Sequence, residues 1–247
     1  RKKNTWIREN SHLNELTKDN NNFTFKAYTV KIKETEQEII AAVEHIKKHL
    51  NDFIDDQQNK FITNVYFGTH LFQPLLTKTQ KYSEKFTLSP EGLNEGEERF
   101  VRDLWAFVED EHHAEFFENH KLFLLRNLPK KGVGFYKTAW YYPDFILWVK
   151  NTATQAQRVI FVDPKGLVEL KKGFDEEKIQ LCHDIKELQS ELVRKTGRAD
   201  LTLDSYIISV TPRSDINPIF KPTSSEAYDI HHVLFQNERG YIERMLL

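Results

Sequence analysis

The chain has 247 residues, is 39% hydrophobic and 13% aromatic with 18 Phe, and holds few Gly (9) or Pro (8). This is enough apolar material for one large or two small packed domains, and it excludes whole-chain disorder and the fibrous and low-complexity classes. The formal charge of −2 arises from 35 basic and 37 acidic residues, so no global basic field marks a nonspecific nucleic-acid binder and any such surface must be local.

The single cysteine, Cys182, excludes an internal disulfide and a multi-cysteine zinc site, which suits a reducing compartment. No apolar run approaches the roughly 20 residues that span a bilayer, and the basic start RKKNTW lacks the apolar stretch of a secretory signal. The expected location is the cytoplasm, with no membrane partner. The chain starts at Arg1 and its only methionine is Met245, so it is expected to be a piece of a longer polypeptide.

In chain order, residues 22–33 (NFTFKAYTVKIK) are β-branched and aromatic and predict a strand. Ile39, Ile40, Val43, Ile46, Leu50, Phe53 and Ile54 then recur at helical spacing. ITNVYF predicts another strand, and Ser89-Pro90-Glu91-Gly92 marks the boundary between an N-terminal α+β accessory segment (1–88) and a second domain (89–247). From Asn94, the stripe Phe100, Val101, Leu104, Trp105 and Val108 predicts a helix running to about Asn119. LFLLRNL, YPDFILWV and RVIFVDPKG predict strands, the last two forming a hairpin across the polar NTATQAQ, while GFYKTAW is irregular or extended. A helix from Asp175 to about Lys195 carries Ile179, Cys182, Ile185, Leu188 and Leu192 on one face, and SYIISVT follows as a strand. PRSDINPIFKPTSS is expected to be a loop, and HHVLFQ and GYIERMLL short closing elements. The order helix, three strands, helix, strand describes an α/β fold with a mixed sheet flanked by helices.

Pro143-Asp144 opens one strand of the hairpin and Asp163-Pro164-Lys165 ends the other, so two carboxylates and an ammonium converge at one sheet edge. Alternation turns Asp163 and Lys165 the same way and Pro164 the other. Pro164 sacrifices a ladder donor, which places the tripeptide at the fraying strand end, but keeps its carbonyl as a potential metal ligand. A phosphodiester resists water because the nucleophile meets a polyanion and the leaving alkoxide is poor, and a hard cation held by carboxylates is the usual remedy. Asp144 and Asp163 supply such a cage, and Lys165 can orient water or neutralise developing charge. Successive helical residues rotate by about 100°, which aims Glu97 toward the core as a third carboxylate. Its competing reading is the capping and macrodipole preference for glutamate in a first helical turn.

Lys130, Lys131 and Lys137, with Arg126, and Lys171 and Lys172 beyond the motif, flank this edge and are weaker phosphate contacts. Lys178 and Gln180 lie early in the following helix, within reach of a phosphate or a metal-held water. Trp140, Tyr141 and Tyr142 are read as core, with stacking on a splayed base as the alternative. The pairs His112-His113 and His231-His232 diverge too far along a backbone to share one ion and are read as solvated or partly buried.

Pro143-Asp144, Asp163-Pro164-Lys165 and the αβββαβ order, over roughly residues 94 to 211, resemble the PD-(D/E)xK nuclease superfamily. GFYKTAWYYPDFILWVK with RVIFVDPKGL is similar to the nuclease domain at the C-terminal end of helicase-linked, type III restriction-like proteins. The resemblance implies a restriction-endonuclease-like core and hydrolysis of DNA with Mg²⁺ or Mn²⁺. It also implies an upstream helicase motor, in the same polypeptide or complex, serving restriction or antiviral defence. These residues contain no G-x-x-x-x-G-K-[ST] nucleotide loop. Relatives of the exonuclease branch carry a Gln followed four residues later by Tyr, whereas here Gln180 is followed by Asp184, which favours an endonuclease. A second copy of the chain remains an allowed partner. Two alternatives stand beside this expectation: an RNA-cleaving enzyme of the same fold, and a noncatalytic nucleic-acid-binding module.

Overall fold

The computed structural model describes residues 27–56, 59–71, 75–129, 132–136, 140–216, 220 and 226–247. Residues 22–26 of the expected first strand lie outside them, as do Lys130, Lys131 and Lys137 and residues 217–219 and 221–225 of the expected loop.

The N-terminal segment is α+β. Strand β1 (Thr29–Ile32) precedes α1 (Gln37–Lys48) and α2 (Leu50–Asp56), a predicted single helix that breaks at His49, whose backbone leaves the helical region (φ −124°, ψ 45°). Strand β2 (Ile62–Asn64) pairs antiparallel with β3 (Leu76–Lys78), and β4 (Phe86–Ser89) pairs antiparallel with β1. Neither β3 nor β4 was expected from the polar stretch they flank. Ile39, Phe53, Phe61, Ile62, Leu76, Phe86 and Leu88 form a small core of this segment. Val65, Phe67 and Leu75 leave it and are fully buried in the main core.

Asn94 caps α3 (Glu95–Glu109): its side chain accepts from the Glu97 amide while the Glu97 carboxylate accepts from the Asn94 amide. The predicted single helix to Asn119 is interrupted. Asp110 takes an extended backbone and accepts from the His112 amide, starting a new short turn, and α4 (Ala114–Asn119) follows.

The central layer comes from β5 (His120–Arg126), β8 (Phe145–Asn151), β9 (Gln157–Lys165), β10 (Leu201–Ser209) and β11 (Val233–Phe235). A small ribbon, β6 (Phe135–Tyr136) against β7 (Trp140–Tyr141), precedes β8. The remaining helices are α5 (Glu177–Thr196), α6 (Glu226–Ile230) and α7 (Tyr241–Leu246). The five-stranded sheet runs β11-β10-β9-β8-β5; β8 is antiparallel to both of its neighbours, β5 and β9, and β9, β10 and β11 are parallel. It is the expected mixed sheet flanked by helices, and β8 and β9 form the expected hairpin. Residues 69–71 bind along β5 through the Leu124 amide to the Thr69 carbonyl and the Leu71 amide to the Leu124 carbonyl.

Both faces of the sheet are covered, which is why its central strands read as continuous apolar runs. Phe145, Leu147, Val149, Ile160 and Val162 pack with Phe100, Val101 and Leu104 of α3 and with α7. The alternate residues Ile146, Val159 and Phe161 pack with Leu181, Ile185 and Leu192 of α5. No helix of the described residues is long and apolar enough to cross a membrane.

Candidate functional site

Register brings the two aspartates together. Phe145 pairs with Val162, so Asp144 and Asp163 occupy the next position beyond the end of the β8–β9 ladder. Strand β9 continues past β8, because β10 still pairs with it at Pro164 and Lys165. The tripeptide is therefore unpaired only toward β8, rather than at the end of the strand as a whole. By alternation, Asp163 shares the α5 face with Val159 and Phe161, while the first turn of α3 approaches the same edge from the opposite face. Gly96 permits that approach: a Cβ there would lie 2.5 Å from Val210 Cγ1.

The result is a cleft of about 540 Å³ lined by Glu97, Tyr142, Asp144, Asp163, Pro164, Lys165 and Lys178, with backbone-rich walls at Gly96 and Gly166. All four residues given catalytic roles from the sequence meet here. Of the described members of the weaker set, only Lys178 does. Gln180 donates its amide to the Phe174 carbonyl and stands outside the cleft. Lys171 and Lys172 are exposed and also outside it; Glu176 accepts from both of their backbone amides. Arg126 is a partly buried clamp, reaching the Glu91 and Gly92 carbonyls and lying 3.3 Å from the Glu97 carboxylate.

The electrostatics are those of crowded acids. Asp163 is 4% exposed, and its Oδ2 is buried with no hydrogen-bond partner among the described residues. Lys178 Nζ stands 3.5 Å from that oxygen, close enough to attract but not hydrogen-bonded to it. Burial, reinforced by the hydrogen bond and charge of Asp163 and by the charge of Glu97, pushes the Asp144 carboxyl up to about 10, with Lys178 pulling the other way. Burial also raises the Glu97 carboxyl; Arg126 and the Asn94 amide oppose the rise, and the charge of Asp163 adds to it. Tyr141 stays a phenol: burial drives its hydroxyl well above its ordinary range, and Asp163 and Asp144 drive it further. Glu97 thus fulfils both of its competing readings, as capping-box residue and as an acid lining the cleft.

This donor set fits a hard divalent cation. Lys178 and Arg126 do not offset two apposed carboxylates with a third nearby, since the Asp144 and Glu97 carboxyls stay raised beside them, and Asp163 Oδ2 is an acceptor with no hydrogen-bond partner among the described residues.

Three contributors went unrecognised or underweighted in the sequence. Lys178 precedes Leu181, Cys182 and Ile185 by three, four and seven residues, so its place on the sheet-facing stripe of α5 was readable there. The aromatic triplet divides: Tyr141 is core as expected, Tyr142 lines the cleft, and Trp140 is 50% exposed and stacked on Tyr142 at 5.8 Å. Asn127 carried no sequence signal. It is buried, donating from Nδ2 to the Val133 and Pro143 carbonyls and from its backbone to the Asp144 carbonyl, and so it holds the Pro-Asp turn in place. The histidine pairs diverge as expected: His112 bonds Asp110, His113 stacks on Phe107, His232 stacks on Tyr206 and His231 on Phe174.

Compared with protein-family models, with curated proteins and with solved structures, the chain matches none.

Proposed function

We propose that the chain is a divalent-metal-dependent nuclease that hydrolyses DNA phosphodiesters internally, as the nuclease part of a helicase-linked restriction or antiviral defence system. The observation that carries this reading is the buried Oδ2 of Asp163, with no hydrogen-bond partner among the described residues, beside an Asp144 carboxyl that burial and its acidic neighbours keep from ionising. Pure binding of a polyanion would be weakened by inward acids, whereas cation-assisted chemistry requires them.

Asp144, Asp163 and Glu97, with the Pro164 carbonyl, would hold magnesium or manganese. When bound, the ion supplies Lewis-acid polarisation of the scissile phosphate and lowers the cost of ionising water. Lys165, on the cleft wall, is placed to offset negative charge growing on the phosphate oxygens or to orient the attacking water. Lys178 holds Asp163 from the α5 side while its ammonium lies 4.8 Å over the Tyr141 ring. Tyr141 and Asn127 act behind the acids: the phenol is within hydrogen-bonding reach of Asp163, and the amide fixes the backbone that carries Asp144.

The test is incubation with supercoiled plasmid, linear duplex, single-stranded DNA and matched RNA, with Mg²⁺, Mn²⁺ or EDTA, beside Asp163→Ala. Metal-dependent nicking of closed circles that disappears in the variant is expected. Cleavage undiminished in Asp163→Ala, or absence of both cleavage and divalent-cation binding, would overturn the proposal.

A further inference from the structure

A second group of ligand-type side chains lies away from the acid cleft. Cys182 and His183 are on α5, and His231 is in the turn between α6 and β11. These segments are far apart in sequence and are brought together because α5 covers one face of the sheet while β11 extends its edge. Cys182 and His183 leave the helix about 100° apart, yet the reach of the imidazole brings the nitrogen and sulfur ligand atoms of all three residues within 4.8 Å of one another. His183 Nε2 and His231 Nδ1 are only 3.2 Å apart. Two imidazole nitrogens on one tetrahedral zinc, each bonded at about 2.0–2.1 Å, stand about 3.3 Å apart. The spacing of the two histidine nitrogens therefore matches that of a pair sharing one ion.

The surroundings suit coordination. His183 is exposed, which gives an ion access, while Cys182 is buried and faces the protein side of the cluster. The His231 ring is held by stacking on Phe174, with centroids 4.6 Å apart and planes at 20°. A thiol and two imidazoles form a soft-to-borderline donor set that disfavours magnesium and calcium and favours zinc or cuprous copper. The acid cleft has the opposite preference, so the two sites would take different ions.

We propose that Cys182, His183 and His231 form a site for a zinc-class cation that fastens the α6–β11 turn to α5. The thiol closes on the ion by a movement of about 1 Å, since sulfur and nitrogen on one tetrahedral zinc stand about 3.5 Å apart. The bond couples the last strand of the sheet to the helix that also carries Lys178. Without an ion, the facing nitrogens are a simple N–H···N hydrogen bond, which is the competing account of the 3.2 Å contact.

The experiment uses the full chain carrying Asp144→Ala and Asp163→Ala, stripped of metal and titrated with Zn²⁺ and Co²⁺. Expected is one equivalent of zinc bound, a rise in thermal midpoint with zinc, and a near-ultraviolet sulfur-to-cobalt charge-transfer band. Adding His183→Ala, an exposed substitution compatible with folding, should weaken zinc binding by at least about tenfold, the smallest loss found even for an outer-shell partner. Adding Cys182→Ser should remove the band. No zinc binding, or binding and spectrum indifferent to both substitutions, would overturn the site. Since the aspartates are absent from every sample, the outcome does not depend on nuclease activity.

Discussion

At Asp144, burial and the charges of Asp163 and Glu97 act in one direction, and only Lys178 opposes them. An acid whose folded-state pKa lies above its unfolded value costs stability at neutral pH. Asp144→Asn should therefore stabilise the metal-free protein while removing cleavage. The expected gain is about 1–2 kcal/mol, or a thermal midpoint higher by roughly 2–8 °C, using the 2–4 °C per kcal/mol of a domain this size. A lower midpoint would mean that Asp144 makes a favourable interaction even without a cation. The two lysines separate by a parallel measurement. Lys165→Ala should reduce the cleavage rate about 100-fold and Lys178→Ala about tenfold, because one faces substrate and the other steadies Asp163. The reverse order would move the chemical role to Lys178. Asp144, Asp163 and Lys165 were legible from their order along the chain alone, since alternation and hairpin pairing are local rules. Lys178 was visible only as a member of an amphipathic stripe, and its distance to Asp163 needed the packed pair of helix and sheet.

The elements that matter most are the β8–β9 hairpin and the loop that feeds it. The hairpin sets the register that makes Asp144 and Asp163 neighbours, but the turn before β8 is held by Asn127, whose amide bonds Val133 and Pro143. Asn127→Ala leaves those buried groups unpaired, which costs about 2–3 kcal/mol. Urea denaturation should register that loss, and isothermal titration should show weaker Mg²⁺ binding as the Asp144 backbone loosens. Destabilisation with unchanged metal affinity would limit Asn127 to a structural role. Element types were largely readable from periodicity, whereas their ends were not. The continuous apolar stripe through Val108 hid the break at Asp110, because a side chain bonding its own backbone competes with the helix without disturbing the hydrophobic pattern. Strands β3 and β4 escaped notice because three- and four-residue strands are too short for alternation to stand out.

Across the whole molecule, α5, β9, β10 and the C-terminal helix are joined by one part-buried network. Asp204 accepts from Arg158 and Lys186, and Arg158 reaches the Tyr206 hydroxyl and the Leu246 carbonyl. Burial pushes the Asp204 carboxyl up, but Lys186 and Arg158 outweigh it and hold the group below its ordinary value of 3.8. A depressed folded-state pKa adds stability that is fully present above the unfolded value and is lost as pH falls through the folded one. Asp204→Ala should cost about 1–2 kcal/mol at neutral pH, since Arg158 and Lys186 keep access to water, and the gap to wild type in urea midpoints should narrow in acid. A gap independent of pH would assign the loss to packing. Tertiary ties also cross from the N-terminal segment, since Phe67 is fully buried in the main core and the Leu71 amide bonds the Leu124 carbonyl of β5. By itself the sequence determined the mixed α/β architecture, the sheet-flanking helices and the convergence of Asp144, Asp163, Lys165 and Glu97, because each follows from periodicity or capping within a short window. Tertiary structure alone decided that Arg126 turns inward and that Cys182 and His183 meet His231. Those outcomes depend on contacts between residues far apart in the chain, for which a single sequence carries no local signal.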